Sequence, residues 1–115
     1  MSGSILEAAV KVHKTLGRGF LEKVYAKAVA HELRKQGVRF ELEKRLKVVY
    51  DQEVVGEYVA DMDVEGKVLV EFKACEKLRV EHEAQLLNYL KATGRRVGLL
   101  LNFGGSKLES LRRVL

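Results

Sequence analysis

The run Ala60-Asp61-Met62-Asp63-Val64-Glu65-Gly66-Lys67-Val68-Leu69-Val70-Glu71-Phe72-Lys73-Ala74 decides how this chain folds. Side chains alternate across a strand, so Ala60, Met62 and Val64 form an apolar face and Asp61 and Asp63 point away from it. Beyond Gly66, the residues Val68, Val70, Phe72 and Ala74 share one face, and Leu69, Glu71 and Lys73 share the other. A two-residue loop at Glu65-Gly66 would set Ala60 against Glu71 and Asp61 against Val70, mixing polar with apolar on both faces. A shift of one residue, through a longer loop or a bulge, sets Val64 against Val68, Met62 against Val70 and Ala60 against Phe72. Hydrophobic matching therefore predicts the shifted register. That register also places Asp61 opposite Glu71, with Lys73 two residues further along.

Adjacent carboxylates repel, and one lysine does not readily satisfy both. Two readings follow from the spacing. Asp61, Glu71 and Lys73 form a cross-strand salt-bridge cluster on a wet face, or the carboxylates hold a divalent cation. Hard oxygen ligands suit Mg²⁺ or Mn²⁺.

Working outward, glycine supplies the punctuation, because the chain has no proline. Ser4 followed by Glu7 fits a capping box, and Ile5, Leu6, Ala9, Val12 and Leu16 continue a first helix. Gly17-Arg18-Gly19 interrupts it, and a second helix is predicted from Leu21 to Gln36, stopped by Gly37. The period then changes to two. Val38, Phe40 and Leu42, followed by Leu46, Val48 and Tyr50, read as one long strand or two shorter ones. Strands at Val54 to Val64 and Lys67 to Ala74 follow, then a helix from Glu81 to Thr93 that stops at Gly94. The apolar run Val97 to Phe103 suits a strand buried on both faces. Leu108 to Leu115 is a final short element of undetermined type. The order ααβββαβ predicts a three-layer-like α/β sandwich with a mixed central sheet flanked by helices.

Composition narrows the function classes. At 115 residues, with 47% hydrophobic and 32% charged residues, a single domain over 1–115 with its own core is expected, and a disordered tail is excluded. A lone cysteine, Cys75, cannot form an internal disulfide, and zinc-ligand spacings are absent. His13, His31 and His82 are too scattered to suggest a histidine metal site. No apolar run approaches the ~20 residues that span a bilayer. The start, Met1-Ser2-Gly3-Ser4, lacks the features of a signal peptide, so a cytoplasmic protein with no membrane partner is expected. A net charge of +5 permits a polyanionic partner without demanding one. Lys44, Arg45, Lys47, Arg95 and Arg96 could hold a phosphate backbone or simply form a solvated face.

Two further polar positions break the apolar pattern. Glu22 shares its azimuth on the second helix with Val29 and Leu33, so it points toward the core and calls for a cation, a hydrogen-bond partner or a metal. The alternative is an acid in the first helical turn, favoured by the helix dipole and still wetted. Gln85 and Tyr89, four apart, stack on one edge of the third helix beside Leu86 and Leu90.

These residues together resemble a known family. Gly19-Phe20-Leu21-Glu22-Lys23-Val24-Tyr25 reads G-x-x-E-x-x-Y, Asp61 followed by Glu71-Phe72-Lys73 reads D…E-x-K, and Gln85 to Tyr89 reads Q-x-x-x-Y. With Gly98 to Gly104 after them, the chain resembles the GxxExxY proteins, a branch of the PD-(D/E)XK nuclease superfamily. Ala60 stands where the superfamily name has proline, and Gly-Arg-Gly where Gly-Pro-Gly is expected.

The resemblance implies a restriction-endonuclease-like core and a Mg²⁺- or Mn²⁺-dependent nuclease acting on DNA. It implies Asp61 and Glu71 as metal ligands, with the Phe72 backbone carbonyl a third and Glu22 completing the set directly or through water. Lys73 would orient or activate the attacking water. Gln85 would support the site from the third helix, with Tyr89 beside it, and Tyr25 would pack against or orient Glu22. A homodimer facing one duplex is the expected assembly. The competing readings are a non-hydrolytic module that keeps the fold and binds nucleic acid or protein, and a structural protein with a surface charge cluster.

Overall fold

A computed structural model describes residues 2–115; Met1, the first residue of the start read above, lies outside them. The elements are α1 (Ser2–Leu16), α2 (Glu22–Lys35), β1 (Phe40–Tyr50), β2 (Glu53–Val64), β3 (Val68–Lys73), α3 (Val80–Thr93), β4 (Val97–Asn102) and β5 (Glu109–Val114). The final element is thus a strand. The sheet order is β1-β2-β3-β4-β5, with β3 and β4 parallel and the other pairs antiparallel. The parallel pair requires a crossover, and α3 supplies it.

Apolar residues of α1 and α2, among them Ile5, Val12, Tyr25 and Leu33, cover one face of the sheet at Met62, Val70, Phe72 and Leu99. On the other face Leu86 and Leu90 of α3 pack on Leu69 and Leu100. The interior strand β4 contributes alternate residues to both cores, which explains its unbroken apolar run. The expected α/β sandwich with a mixed sheet is the observed fold.

Helix α1 begins at Ser2, so Ser4 lies inside the helix and the Ser4–Glu7 capping box does not form. Helix α2 ends as read. Gly37 takes a left-handed φ of 74°, the Val38 N–H donates to the Leu33 carbonyl at 3.0 Å and the Gly37 N–H to Arg34 at 3.1 Å. Those two bonds define a Schellman stop.

The β2–β3 register is the shifted one, with Val64↔Val68 and Met62↔Val70 paired. The turn reconciles it with a tight loop. Glu65 and Gly66 both have positive φ, 57° and 67°, and the Lys67 N–H closes on Val64 at 3.0 Å. Lys67 is then the extra residue, acting as a bulge.

The ladder ends at Met62↔Val70, however, and Ala60 does not face Phe72. On β1, Phe40 and Leu42 pack with α1 and α2, whereas Leu46 and Val48 pack with α3. On β2, Met62 and Val64 do the first, and Tyr58 and Ala60 do the second. All these positions are even-numbered and would share a face in an unbroken strand. The faces reverse between Leu42 and Lys44 on β1 and at Asp61 on β2. Glu43 has φ 52°, and no Glu43–Asp61 rung joins the pairs Leu42↔Met62 and Lys44↔Ala60. The left-handed residue turns the outer hairpin over, and Asp61 sits at the fold line.

Among the described residues no helix is long and apolar enough to cross a membrane.

Candidate active site

Where the β2–β3 ladder stops, side chains replace it. The Phe72 N–H donates to Asp61 Oδ2 at 2.8 Å, and the Asp61 N–H donates to Glu71 Oε2 at 2.9 Å. Each carboxylate therefore caps a main-chain donor at the next rung, which fixes its orientation. Asp61 is half-buried and Glu71 is 8% exposed. Burial pushes the Asp61 carboxyl above its ordinary range, offset by the Phe72 N–H and the Lys73 charge. Burial, then the neighbouring Asp61 charge, pushes Glu71 up to about 7. Lys73 follows on the same strand, partly buried, and forms no salt bridge among the described residues. The salt-bridge cluster is thus not formed; Lys73 acts on the pair only at longer range.

A cleft of about 420 Å³ opens beside Asp61, lined also by Glu22, Lys23, Lys27, Glu43 and Phe72. Glu22 is exposed at the start of α2 and shares this cleft with Asp61 and Phe72. It occupies the wetted first-turn position. Tyr25 acts one step back. Its hydroxyl donates to the Gly17 carbonyl at 2.6 Å and accepts the Phe20 N–H at 3.1 Å, while its ring stacks on Phe103 at 4.5 Å. Tyr25 so fixes the loop that leads into Glu22. Gln85 is exposed on α3 and does not line the cleft.

Other functional-looking residues were not evident from sequence. Tyr58 of β2 is buried, and its ring stacks on Tyr89 at 3.8 Å. Its hydroxyl lies against the Glu71 carboxylate but completes no hydrogen bond. Burial and the Glu71 and Asp61 charges push the phenol far above its ordinary value, so it stays a proton donor. Glu43 faces the cleft, and its charge also raises Asp61. The strand end that carries Lys73 is stitched down by Asn102. Its side chain accepts the Cys75 N–H at 3.0 Å and donates to Glu109 at 2.8 Å, and the Phe103 N–H donates to the Lys73 carbonyl at 2.9 Å. A β-carbon at Gly104 would overlap the Cys75 backbone, so only glycine allows this close approach.

Three of the five cations read as possible phosphate contacts are engaged elsewhere. Lys44 pairs with Glu41, Arg45 with Glu57 and Arg95 with Asp63, whereas Lys47 and Arg96 form no salt bridge among the described residues.

The donor set can be tested against a divalent cation. One half-buried and one buried carboxylate with no ion-paired cation, each with one oxygen committed to the backbone and the other without a hydrogen bond among the described residues, suit a hard cation. Among the described residues no three His, Cys, Asp or Glu side chains converge. That agrees with Mg²⁺-type binding, which commonly uses one or two carboxylates and leaves the remaining positions to water and phosphate. The residues fit the group.

Residues 1–114 match the sequence model of the PD-(D/E)XK nuclease superfamily, and the chain belongs to it. No curated protein matches the chain significantly. Among solved structures it is similar to the SSO0001 protein, with a TM-score of 0.57, 13% identity and 92% of this chain covered. The chain spans 60% of that protein's length. It is also similar to an alkaline exonuclease from Laribacter hongkongensis, with a TM-score of 0.55 and 11% identity, covering 99% of this chain and 82% of that one. At these identities the likeness is one of fold, and the fold is that of nucleases.

Proposed function

We propose that this chain is a divalent-metal-dependent phosphodiesterase of the GxxExxY branch, a single nuclease-like domain over 1–115 that cleaves DNA in the cytoplasm as a homodimer. The observation that carries the reading is the pair of half-buried Asp61 and buried Glu71, which forms no salt bridge among the described residues and is followed on the same strand by Lys73, which forms none either. Membership of the nuclease superfamily supports phosphodiester hydrolysis as the reaction class, and the fold of an alkaline exonuclease is consistent with it.

Asp61, Glu71 and the Phe72 carbonyl would hold Mg²⁺ or Mn²⁺, with Glu22 reaching in from the cleft wall through water. The bound ion supplies an acidified water and charge neutralisation on the phosphoryl oxygens. Lys73 orients the attacking water and offsets charge building on the phosphate. Tyr25 keeps the Glu22 loop in place and Tyr89 braces Tyr58, whereas the supporting role expected of Gln85 has no contact behind it among the described residues, since Gln85 is exposed on α3 and outside the cleft.

The test is cleavage of duplex, single-stranded, flap and junction DNA, with RNA alongside, in Mn²⁺ or Mg²⁺. Lys73→Ala is expected to lose about 10³-fold or more in rate while keeping the parent's thermal midpoint. A purified Lys73→Ala protein that cleaves as fast as the parent would contradict the assignment. The exposed position of Gln85 favours a second reading, a non-hydrolytic binding module on the same fold. It predicts salt-sensitive nucleic-acid affinity that survives Asp61→Asn, with no cleavage of any substrate.

A further inference from the structure

Tyr58 carries a polar atom that the fold leaves unused. The residue is 8% exposed, and its hydroxyl is buried without a hydrogen-bond partner among the described residues. Buried polar groups are paired in the great majority of cases, so an orphan calls for a cause. Neither packing nor the sheet explains it. Leu46, which faces Tyr58 across the β1–β2 ladder, offers no side-chain acceptor, and phenylalanine would fill the same volume. The hydroxyl instead lies against Glu71, whose Oε2 is already taken by the Asp61 N–H at 2.9 Å. The ring cannot readily swing away, because Tyr89 stacks on it at 3.8 Å and 20°.

We infer that Tyr58 is a positioning residue for the cation site, its hydroxyl the second donor that fixes the Glu71 carboxylate once a divalent ion is held, with Tyr89 clamping the ring in place. The inference rests on the proposed cation reading. Glu71 is then gripped from two sides, by a main-chain N–H on one oxygen and by the phenol on the other. Outer-shell donors of this kind orient a ligand and typically alter metal affinity about 10- to 100-fold when removed. The role of Tyr89 follows as well, since its ring, and not its hydroxyl, does the bracing.

The experiment is Mn²⁺ titration by calorimetry on the parent, Tyr58→Phe and, as control, Tyr50→Phe, with the thermal midpoint of each protein taken metal-free and at saturating Mn²⁺. Tyr58→Phe is expected to weaken Mn²⁺ binding about tenfold while leaving the metal-free midpoint unchanged or raised, because no hydrogen bond is lost there. Tyr50→Phe, at an exposed tyrosine at the end of β1, should bind as the parent does. A Tyr58→Phe protein with parental affinity overturns the inference and leaves the cation reading standing. So does a lowered metal-free midpoint in Tyr58→Phe, which would make the hydroxyl structural, or equal weakening in both variants. A parent that binds no Mn²⁺ overturns the cation reading and this inference with it.

Discussion

Asp61 and Asp63 lie two residues apart on β2, and the chain treats them in opposite ways. Asp63 is 3% exposed, and Arg95 closes on it at 2.7 Å while also donating to the Gly66 carbonyl. Burial raises its carboxyl, and the Arg95 charge is the largest opposing influence. Asp61 forms no salt bridge among the described residues; its main-chain N–H holds Glu71, itself pushed up to about 7, and the Lys73 charge opposes the rise of both acids without pairing with either. One acid is neutralised by the fold at the cost of an arginine, and the other is left as half of a like-charged pair. Without an ion-paired cation, the second arrangement favours whatever brings it positive charge, a proton or a metal ion. Perturbed acids of this kind mark functional sites more often than structural ones.

Breaking the structural corner should give the largest effect on stability. Arg95→Ala leaves Asp63 buried without its cation and is expected to destabilise by about 3–5 kcal/mol, read as a lowered midpoint in urea unfolding. An unchanged midpoint would mean that Asp63 is wetted and the contrast with Asp61 is false.

The functional pair should respond with the other sign. In metal-free protein the folded Glu71 carboxyl has a raised pKa, about 7 against an ordinary 4.5. Between those values the folded state binds more protons than the unfolded chain, so stability falls as pH rises through the window and levels off above it. Glu71→Gln removes the ionisation, and its unfolding free energy should exceed the parent's at about pH 8 by up to about 3 kcal/mol, read as a raised urea midpoint, with the gain fading toward about pH 4.5. A destabilised Glu71→Gln protein at pH 8 would show that the pair is not strained.

At the small end, the Arg45–Glu57 ion pair joins exposed side chains on the outer hairpin. Arg45→Ala is expected to change stability by less than about 1 kcal/mol. A larger loss would give that exposed pair a weight that only the buried Asp63–Arg95 corner is expected to carry.

How much of this was legible in the sequence depends on which physics was local. Matching apolar faces on either side of Gly66 selected the β2–β3 register as far as Met62↔Val70, beyond which the side chains of Asp61 and Glu71 make the contact that the ladder does not. The face reversal was not legible, because a left-handed glutamate at Glu43 has no compositional signature as glycine would. The one hint was Lys44 interrupting the alternation between Leu42 and Leu46. Missing the reversal hid Tyr58, which by parity belonged with Met62 and in fact packs with α3. The Asp63–Arg95 pair escaped for a different reason. It joins β2 to the turn before β4, and charge complementarity between distant segments leaves no periodic trace. Strand β5 was undetermined because a six-residue segment is too short for periodicity to separate helix from strand.

The central claim is that Asp61 and Glu71 form a cation site and Asp63 does not. The most direct measurement is Mn²⁺ titration by calorimetry on the parent, Asp61→Asn and Asp63→Asn side by side. Binding in the parent and in Asp63→Asn, and none in Asp61→Asn, is the expected result. Equal binding in all three, or loss in Asp63→Asn alone, would contradict it.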